Sequence, residues 1–507
     1  MLPRQARIQR GLARDVADAT PTPAVAPPPK TPSRARPRRV GSALRIDWPG
    51  RSWEPRSRAL SRGPATATVV EEVGDGASRL IHGDALDVVS AIERDGLGGR
   101  VDLVYIDPPF ASQAAYVHEA RLDGPADGRI LRARAYDDRW DGDGVGGYLD
   151  MLAPRLEALA GLLAPTGTIW VHVDWRASYL VRSLLDEILG RSAFVNEIVW
   201  RRAPNLGRQA ASHQFGRTLD TMVVYGREEA KLEPPTRLER IDPKHVRRDA
   251  EDRPFVAAPR GDYTDESIAR LEAEGRVHRT ATGKVYVKYF LVEDATGALC
   301  RRRRVDALWT DVPPLRHAAP SERTGFPTQK PRALLDRIIA CASPPGGLVV
   351  DAFSGSGTTG ESAHALGRRF VLGDQSHLAI ATARARLLRA GVDVSIERCE
   401  LRDPTPRPGR EGVGEPPRVR VERGRDVRVE LLAPRDPLAW AVDVAHDASR
   451  PLCRAWHSER APGARARPAE RSACLARAPG RIAVRVWYDD GRVATWLEGP
   501  EGLEDGP

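Results

Sequence analysis

Cysteine and long apolar runs are both scarce in this sequence of 507 residues. The five cysteines lie far apart and form no C-x-x-C pair, which argues against a disulfide framework or a zinc ribbon and favours a reduced, cytoplasmic protein. No stretch approaches the roughly 18 apolar residues of a membrane span. The charged N-terminus has no apolar segment behind it, so it does not predict a secretory signal.

Acidic residues are sparse at the N-terminal end. Residues 1–66 hold 14 Lys and Arg against 4 Asp and Glu, a net charge of +10, so the rest of the chain sums to −1 against a total of +9. This Pro-, Ala- and Arg-rich composition predicts a disordered basic tail. A solvated tail and a nucleic-acid tether, in which clustered arginines neutralise phosphates, are both open interpretations.

Beyond the tail, short apolar segments alternate with segments of helical spacing. This alternation predicts an α/β domain over residues 67–390, with a mostly parallel sheet covered by helices on both faces. A less regular, charged region at 201–320 interrupts it. Residues 391–425 are typical of a linker, and residues 426–507 predict a small β-rich domain with a hairpin around Asp490 and Gly491. We find no internal repeat.

The stretch "GLVVDAFSGSGTTG" predicts a buried strand followed by a glycine turn that opens a helix. Gly355 and Gly357 would let a ligand approach the backbone closely, as in nucleotide-binding α/β units. No Lys follows the turn, which excludes a P-loop. The next strand ends at Asp374, about 20 residues later, a spacing that suits the hydroxyls of a ribose. The alternative is an ordinary tight turn between strand and helix.

The stretch "VDLVYIDPPF" predicts a buried strand that ends in a carboxylate, two prolines and a phenyl ring. In an open α/β sheet, ligands bind at the carboxyl ends of the strands, where Asp107 would lie. Pro108 and Pro109 have no N–H, so this segment offers acceptors without donors, and Phe110 offers a flat face. Two acceptors beside a stacking ring suit an amino group on a planar ring.

These two motifs, in this order, resemble those of the amino-group DNA methyltransferases, which carry D-P-P-Y or D-P-P-F and an F-x-G-x-G turn. The first precedes the second by about 250 residues, as in the permuted β class, whose target-recognition region lies between them. The blocks "LIHGDALDVV", "FVNEIVWRR" and "PTQKPRALLDRII" fall in the family's order. The resemblance covers about residues 78–390 and implies a Rossmann-like S-adenosylmethionine methyltransferase fold with a doubly wound mixed sheet.

The resemblance also implies roles for individual residues. Asp107, Pro108 and Pro109 would form the catalytic motif that binds the exocyclic amine, and Phe110 would stack on a base flipped out of the duplex. Phe110 replaces the commoner Tyr of the family. The residues implied to bind S-adenosylmethionine are Asp84, Thr328, Lys330, Asp351, Phe353, Gly355, Gly357, Thr358 and Asp374. "GDQS" departs from the acidic-apolar pair that is usual at the last of these positions.

Arginines between the two motifs are candidate contacts to phosphate, with a solvated face as the alternative interpretation. They are Arg201, Arg202, Arg208, Arg301, Arg302, Arg303 and Arg304. His172 and Asp174 alternate on a predicted strand but lack a third ligand nearby, so no metal site is predicted and a structural or site-lining role is favoured. Trp170 and Trp175 are interpreted as core residues.

The predicted activity is methylation of adenine N6 in double-stranded DNA. Cytosine-N4 methylation is the first alternative, although those enzymes more often carry Ser-Pro-Pro where this chain has Asp107. A DNA-binding protein with a vestigial site is the second, and methylation of RNA or of a protein glutamine is a third. The resemblance implies a bacterial, cytoplasmic, nucleoid-associated protein, and it leaves a restriction subunit and a homodimer open as partners.

Overall fold

A computed structural model describes residues 44–53, residues 67–399 apart from 75, 123–129, 141–143, 206–212 and 281, and a series of strands between residues 417 and 497. The strands of the first part, in chain order, are β1 (Ala67–Val73), β2 (Ser78–His82), β3 (Val101–Ile106), β4 (Ala115–Leu122), β5 (Ile130–Asp137), β6 (Leu163–Val173), β7 (Phe194–Arg201) and β8 (Leu219–Gly226). The next are β9 (Thr236–Arg240), β10 (Arg247–Arg248), β11 (Pro254–Pro259), β12 (Val277–Arg279), β13 (Val285–Glu293), β14 (Leu299–Arg304), β15 (Leu308–Trp309), β16 (Leu348–Asp351), β17 (Arg369–Asp374) and β18 (Val394–Cys399).

The remaining described strands follow residue 417. They are β19 (Arg418–Arg423), β20 (Asp426–Ala433), β21 (Ala439–His446), β22 (Leu452–Cys453), β23 (Trp456–Glu459), β24 (Arg465–Ala466), β25 (Ser472–Ala476), β26 (Arg481–Trp487) and β27 (Val493–Leu497). The α-helices of the described part are α1 (Ala85–Arg94), α2 (Gly144–Gly161), α3 (Ser178–Ile188), α4 (Asp265–Ala273), α5 (Arg332–Ala342), α6 (Thr358–Ala365) and α7 (His377–Arg389). None of these helices is long and apolar enough to cross a bilayer.

Within the described residues, one mixed sheet has the strand order β15-β7-β8-β6-β3-β16-β17-β2-β18-β1-β22. From β6 to β18 every neighbouring pair is parallel. β8 is antiparallel to both β6 and β7, and β1 is antiparallel to β18. Helices cover both faces, so the predicted doubly wound mixed sheet is confirmed.

Strand β3 shows why its sequence is apolar almost throughout. Val104 and Ile106 pack into a core with helices α1, α2 and α3, whereas Leu103 and Tyr105 pack into a second core with α5 and α7. Successive side chains of a strand point to opposite faces, so a strand covered on both sides needs apolar residues at consecutive positions. The functional residues follow where this buried run ends.

The region predicted as an insertion at 201–320 is only partly separate from the main sheet. Strands β9, β10, β11, β13 and β14 form a sheet of their own, to which β12 pairs through β13. However, β8 lies inside the main sheet between β6 and β7, and β15 lies at its edge beside β7. The separate part of the region is therefore about 236–304, because the apolar run of β8 completes the central core.

The boundary of the predicted disordered tail differs from the structure at residues 44–53. Trp48 and Trp53 are buried there, and their indole Nε1 atoms donate to Asp150 (3.2 Å) and Glu157 (3.0 Å) of α2. Arg51 forms a buried ion pair of 2.8 Å with Glu187 on α3. The average composition of residues 1–66 predicts disorder, but the two indoles of this segment supply a large apolar area that can be buried. The predictions for residues 1–43 and 54–66 lie outside the described residues.

The predicted linker begins too early. Strand β18 pairs with β2 and β1 in the main sheet, so residues 391–399 belong to the α/β domain, and residues 400–416 lie outside the described part. Beyond them β19-β20-β25 and β23-β21-β26-β27 form two antiparallel sheets. β26 and β27 pair as a hairpin, and its turn, with Asp490 and Gly491, also lies outside the described residues.

Candidate functional site

Four carboxylates lie along one edge of the main sheet. Asp107 follows β3, Asp351 ends β16, Asp374 ends β17 and Asp84 follows β2. These strands are neighbours in the order β3-β16-β17-β2 and all run parallel, so their carboxyl ends meet at the same edge. Segments about 250 residues apart in sequence are thereby brought side by side.

One carboxylate oxygen of Asp107 has a partner within the chain, and the other has none among the described residues. Its Oδ2 pairs with the ammonium of Lys330. Its Oδ1 is buried and has no hydrogen-bond partner among the described residues. A buried carboxylate oxygen without a donor is costly, so this atom marks a position for a donor. The ring of Phe110 lies beside it, with the Lys330 Nζ 5.3 Å from the ring centroid.

Asp138 holds the loop that follows the Asp-Pro-Pro-Phe motif. Its carboxylate accepts from the backbone N–H groups of Phe110 (3.1 Å), Ala111 (3.0 Å) and Ser112 (2.7 Å). It also accepts from the Ser112 hydroxyl at 2.6 Å and from the Trp140 indole at 3.0 Å. Ala111 is in the left-handed region with a φ of 56°, a conformation that needs such support. The position of Phe110 therefore depends on Asp138.

The glycine turn has the backbone geometry that its sequence predicts. Gly355 and Gly357 have φ values of 48° and 75°, which favour glycine. A Cβ on Gly357 would lie 2.7 Å from the Cβ of Ala383 on α7, so the close packing of that helix also requires glycine. Asp374 accepts from the N–H of Gly355 (2.9 Å) and of Ser376 (2.8 Å). Burial, which outweighs these hydrogen bonds, raises the pKa of Asp374 to about 6.

Asp351 holds the glycine turn through hydrogen bonds to its carboxylate. Its carboxylate is 1% exposed and accepts from the N–H of Phe353 (3.0 Å) and the hydroxyl of Thr359 (2.6 Å). Burial raises the pKa of Asp351 to about 7, against the lowering effect of these two hydrogen bonds. Both oxygens are engaged, so this side chain orders the turn and the start of α6. It does not face the open edge.

The other predicted cofactor residues have partners within the chain. Asp84 caps α1 by accepting from the Leu86 N–H at 3.0 Å and forms an ion pair with Arg155 at 2.5 Å. Thr328 has a φ of 62°, and its hydroxyl is 3.2 Å from that of Tyr136. Thr358 begins α6 and donates to the carbonyl of Lys330 at 3.3 Å. This last contact connects the glycine turn to the lysine that pairs with Asp107.

A model of the DNA methylase family matches residues 101–385, which is more than half of the chain. The chain belongs to this family. The resemblance inferred from the motifs is therefore confirmed, and the matched segment contains both motifs and the region between them.

Individual relatives of this chain are distant. The chain is 27% identical to the type II methyltransferase M.EcaI of Enterobacter cloacae over 57% of this chain and 65% of the relative. It is 23% identical to the type III restriction-modification enzyme StyLTI Mod subunit of Salmonella typhimurium over 57% of this chain and 50% of the relative. The chain thus spans about half to two thirds of the length of these relatives. A solved M1.HpyAVI–SAM complex is 17% identical, with a TM-score of 0.35 over 61% of this chain and 98% of that one.

A buried polar chain runs behind the Asp-Pro-Pro-Phe motif. The hydroxyl of Tyr105 lies 3.0 Å from Nδ1 of His172, and Nε2 of His172 lies 3.2 Å from Asp220. Asp220 also accepts from Nε of Arg202 at 2.7 Å. Arg202, predicted as a phosphate contact, is thus the ion-pair partner of Asp220. His172 is buried behind this motif, and the sequence leaves a structural and a site-lining role open for it.

The remaining predicted arginines occupy two places. Arg201 is exposed at the end of β7, on the same sheet as the site, whereas Arg208 lies outside the described residues. On β14 of the separate sheet, Arg301 stacks on Tyr289 with its guanidinium carbon 3.7 Å from the ring centroid. The three that follow it are exposed: Arg302, Arg303 and Arg304.

Trp175 corrects one sequence interpretation. Trp170 is buried as predicted, but Trp175 is 47% exposed, because β6 ends at Val173 and Trp175 lies beyond the covered part of the sheet. The guanidinium of Arg217 lies 3.9 Å from its ring centroid. The alternation in "WVHVDW" assigns Trp175 to the face of Val171 and Val173, which are both buried, so the local pattern carries no signal of its exposure. No group of three or more metal-ligating side chains occurs in the described residues.

Proposed function

We propose that the protein transfers the methyl group of S-adenosylmethionine to the N6 amine of adenine in duplex DNA, after the base has left the helix. The observation that carries this proposal is the buried Oδ1 of Asp107, which has no partner among the described residues and lies beside an aromatic ring. An exocyclic amine supplies the missing N–H, and the planar base to which it is attached supplies a surface for Phe110.

The residues around the glycine turn fit S-adenosylmethionine. Gly355 and Gly357 keep the backbone open at the carboxyl end of β16, and Asp374, although it accepts from two backbone N–H groups, keeps a partly exposed side chain suited to ribose hydroxyls. The Lys330 ammonium, 11% exposed at the same edge, suits the cofactor's carboxylate. When bound, the cofactor supplies a methyl group on a positively charged sulfur.

The side chains of this protein would act mainly by positioning. In the transfer, a bond forms from the methyl carbon to the amine nitrogen as the carbon–sulfur bond breaks, and the nitrogen then loses one proton. Asp107 Oδ1 and the Pro108 carbonyl would accept the two N–H groups and direct the lone pair at the methyl group. Holding the reacting atoms in line in this way accounts for a large share of such a rate enhancement.

Duplex DNA as the substrate is supported by the exposed arginines at two places in the region between the motifs. Arg201 lies at the end of β7 in the main sheet, and Arg302, Arg303 and Arg304 lie on the separate sheet. Phosphate contacts by such residues predict DNA binding that weakens steeply with salt. A restriction partner belongs to this proposal because one relative is named as the Mod subunit of a restriction-modification enzyme.

Nucleoside analysis of DNA treated with the purified protein and labelled S-adenosylmethionine tests the proposal. We expect labelled N6-methyladenine, and sequencing of DNA from expressing cells that detects modified bases would give the recognised site. Labelled N4-methylcytosine would establish the alternative base. Asp107→Ala should abolish the transfer while the cofactor still binds in a calorimetric titration. Transfer retained by this variant would contradict the role of Asp107, and cofactor binding without transfer by the unmodified protein would favour a vestigial site.

A further inference from the structure

His172 occupies an unusual environment for a titratable side chain. It lies on β6 with no exposed surface, opposite Tyr105 of β3 and Asp220 of β8, which are each 2% exposed. Its ring nitrogens lie 3.0 Å from the Tyr105 hydroxyl and 3.2 Å from Asp220. Three adjacent strands of the sheet are thus joined by one side chain.

The partners determine which ring nitrogen carries the proton. The pKa of Asp220 lies below its ordinary value: burial acts to raise it, but the hydrogen bond from His172 and the positive charges nearby, Lys330 and Arg202 among them, outweigh burial. Asp220 is therefore an ionised acceptor, so Nε2 of His172 donates. In the neutral ring with its proton on Nε2, Nδ1 can only accept, so the Tyr105 hydroxyl, whose pKa burial holds well above its ordinary value, donates to Nδ1. Both nitrogens are satisfied in one ring orientation.

The faces and edges of the same ring contact aromatic side chains. The Phe110 ring lies almost parallel to it, with an interplanar angle of 18° and centroids 6.3 Å apart. Trp200 meets it at 90° with centroids 5.9 Å apart. An apolar side chain would fill this space but leave the Tyr105 hydroxyl and Oδ2 of Asp220 without these partners, at a high cost in the interior. The polar chain therefore specifies an orientation as well as a volume.

We propose that His172 is a positioning residue that sets the plane of the Phe110 ring relative to Asp107. This inference rests on the proposed function, in which that ring stacks on the target base. Tyr105 lies on β3, two residues before Asp107, which follows the end of that strand, so the hydrogen bond to His172 also anchors the strand that presents the carboxylate. Arg202 contributes by balancing the charge of Asp220, at a hydrogen-bond distance of 2.7 Å.

A double-mutant cycle between His172 and Phe110 tests the proposal. His172→Gln keeps a donor for Asp220 but removes the ring. In single-turnover assays it should slow methyl transfer about 10- to 100-fold, as expected for a displacement of about 1 Å near the reacting atoms, with the cofactor dissociation constant unchanged within about twofold. In a Phe110→Ala background the same change should cost less than about threefold, because the ring it positions is gone.

Thr168→Val is the matched control. Thr168 is a buried residue of the same strand whose hydroxyl accepts from Trp170 at 3.1 Å, away from the site. It should lower the melting temperature without affecting methyl transfer in either background. If His172→Gln does not fold, Asp220→Asn takes its place, since it keeps the volume and removes the charge that orients the ring.

The outcomes separate this inference from the proposed function. Equal losses for His172→Gln in both backgrounds, or no loss in the first, would show that His172 does not act through Phe110. Equal losses for Asp220→Asn in both backgrounds, or no loss in the first, would lead to the same conclusion. Absence of methyl transfer by the unmodified protein would refute the proposed function itself. A loss that depends on Phe110, together with normal cofactor binding, supports the positioning role.

Discussion

Replacing Asp138 should destabilise the loop after the Asp-Pro-Pro-Phe motif more than any single surface change. The carboxylate is 1% exposed and accepts five hydrogen bonds, four of them from Phe110, Ala111 and Ser112. A hydrogen bond to a charged group contributes about 1.5–3 kcal/mol, but the bonds share one acceptor and the freed donors partly reach water. We therefore expect Asp138→Ala to lower the free energy of unfolding by about 3–5 kcal/mol.

Asp138→Asn removes the charge of the side chain but keeps its shape. The single side-chain oxygen of Asn accepts hydrogen bonds from the donors on one side only. We therefore expect the free energy of unfolding to fall by about 2 kcal/mol, roughly the contribution of one or two charge-assisted hydrogen bonds. Denaturant unfolding followed by tryptophan fluorescence measures both variants. Asp137→Asn is the control, because its partner Arg139 is a half-exposed surface residue, and it should change stability by less than about 0.5 kcal/mol. An Asp138→Asn variant as stable as this control would refute the reasoning.

Two further predictions concern stability. Because burial raises the pKa of Asp351 to about 7, its ionisation opposes folding: this contribution to stability is complete below about pH 4 and is lost as the pH rises through 7. Asp351→Asn should remove up to about 4 kcal/mol of this pH dependence, because each pKa unit corresponds to about 1.4 kcal/mol. If the melting temperatures of the two proteins change with pH in parallel, this prediction is contradicted. A chain that begins at residue 54 should melt several degrees below one that begins at residue 44, because it lacks Trp48, Trp53 and the buried Arg51–Glu187 pair; equal melting temperatures in calorimetry would show that this segment contributes little.

Much of the α/β domain follows from local patterns. The strand before Asp107 is apolar at nearly every position because both its faces are covered, and such a run is visible in sequence. Gly355 and Gly357 are required by the positive φ values of a single turn. The family follows from the order of these short motifs and is matched over residues 101–385.

Other features follow only from the burial and the contacts of the folded chain. Asp351 reads as a cofactor ligand beside the glycine turn, but its carboxylate is enclosed by Phe353 and Thr359. Trp175 reads as a core residue, but it lies past the end of its strand. Trp48 sits in a composition typical of disorder, yet it contacts Asp150, 102 residues away. Trp48 depends on a partner far away in sequence, whereas Asp351 and Trp175 depend on how the fold covers the ends of their strands.

The amino-acid sequence by itself determined the helices and strands of the α/β domain, the turn that needs glycine and the acceptor-rich end of one strand, because dihedral preferences and hydrophobic periodicity act over a few residues. Only the tertiary structure decided that Asp138 secures Phe110 and that His172 joins Tyr105 to Asp220. Those assignments require strands from separate parts of the chain to become neighbours, and burial then makes each unpaired polar atom costly enough to select one arrangement.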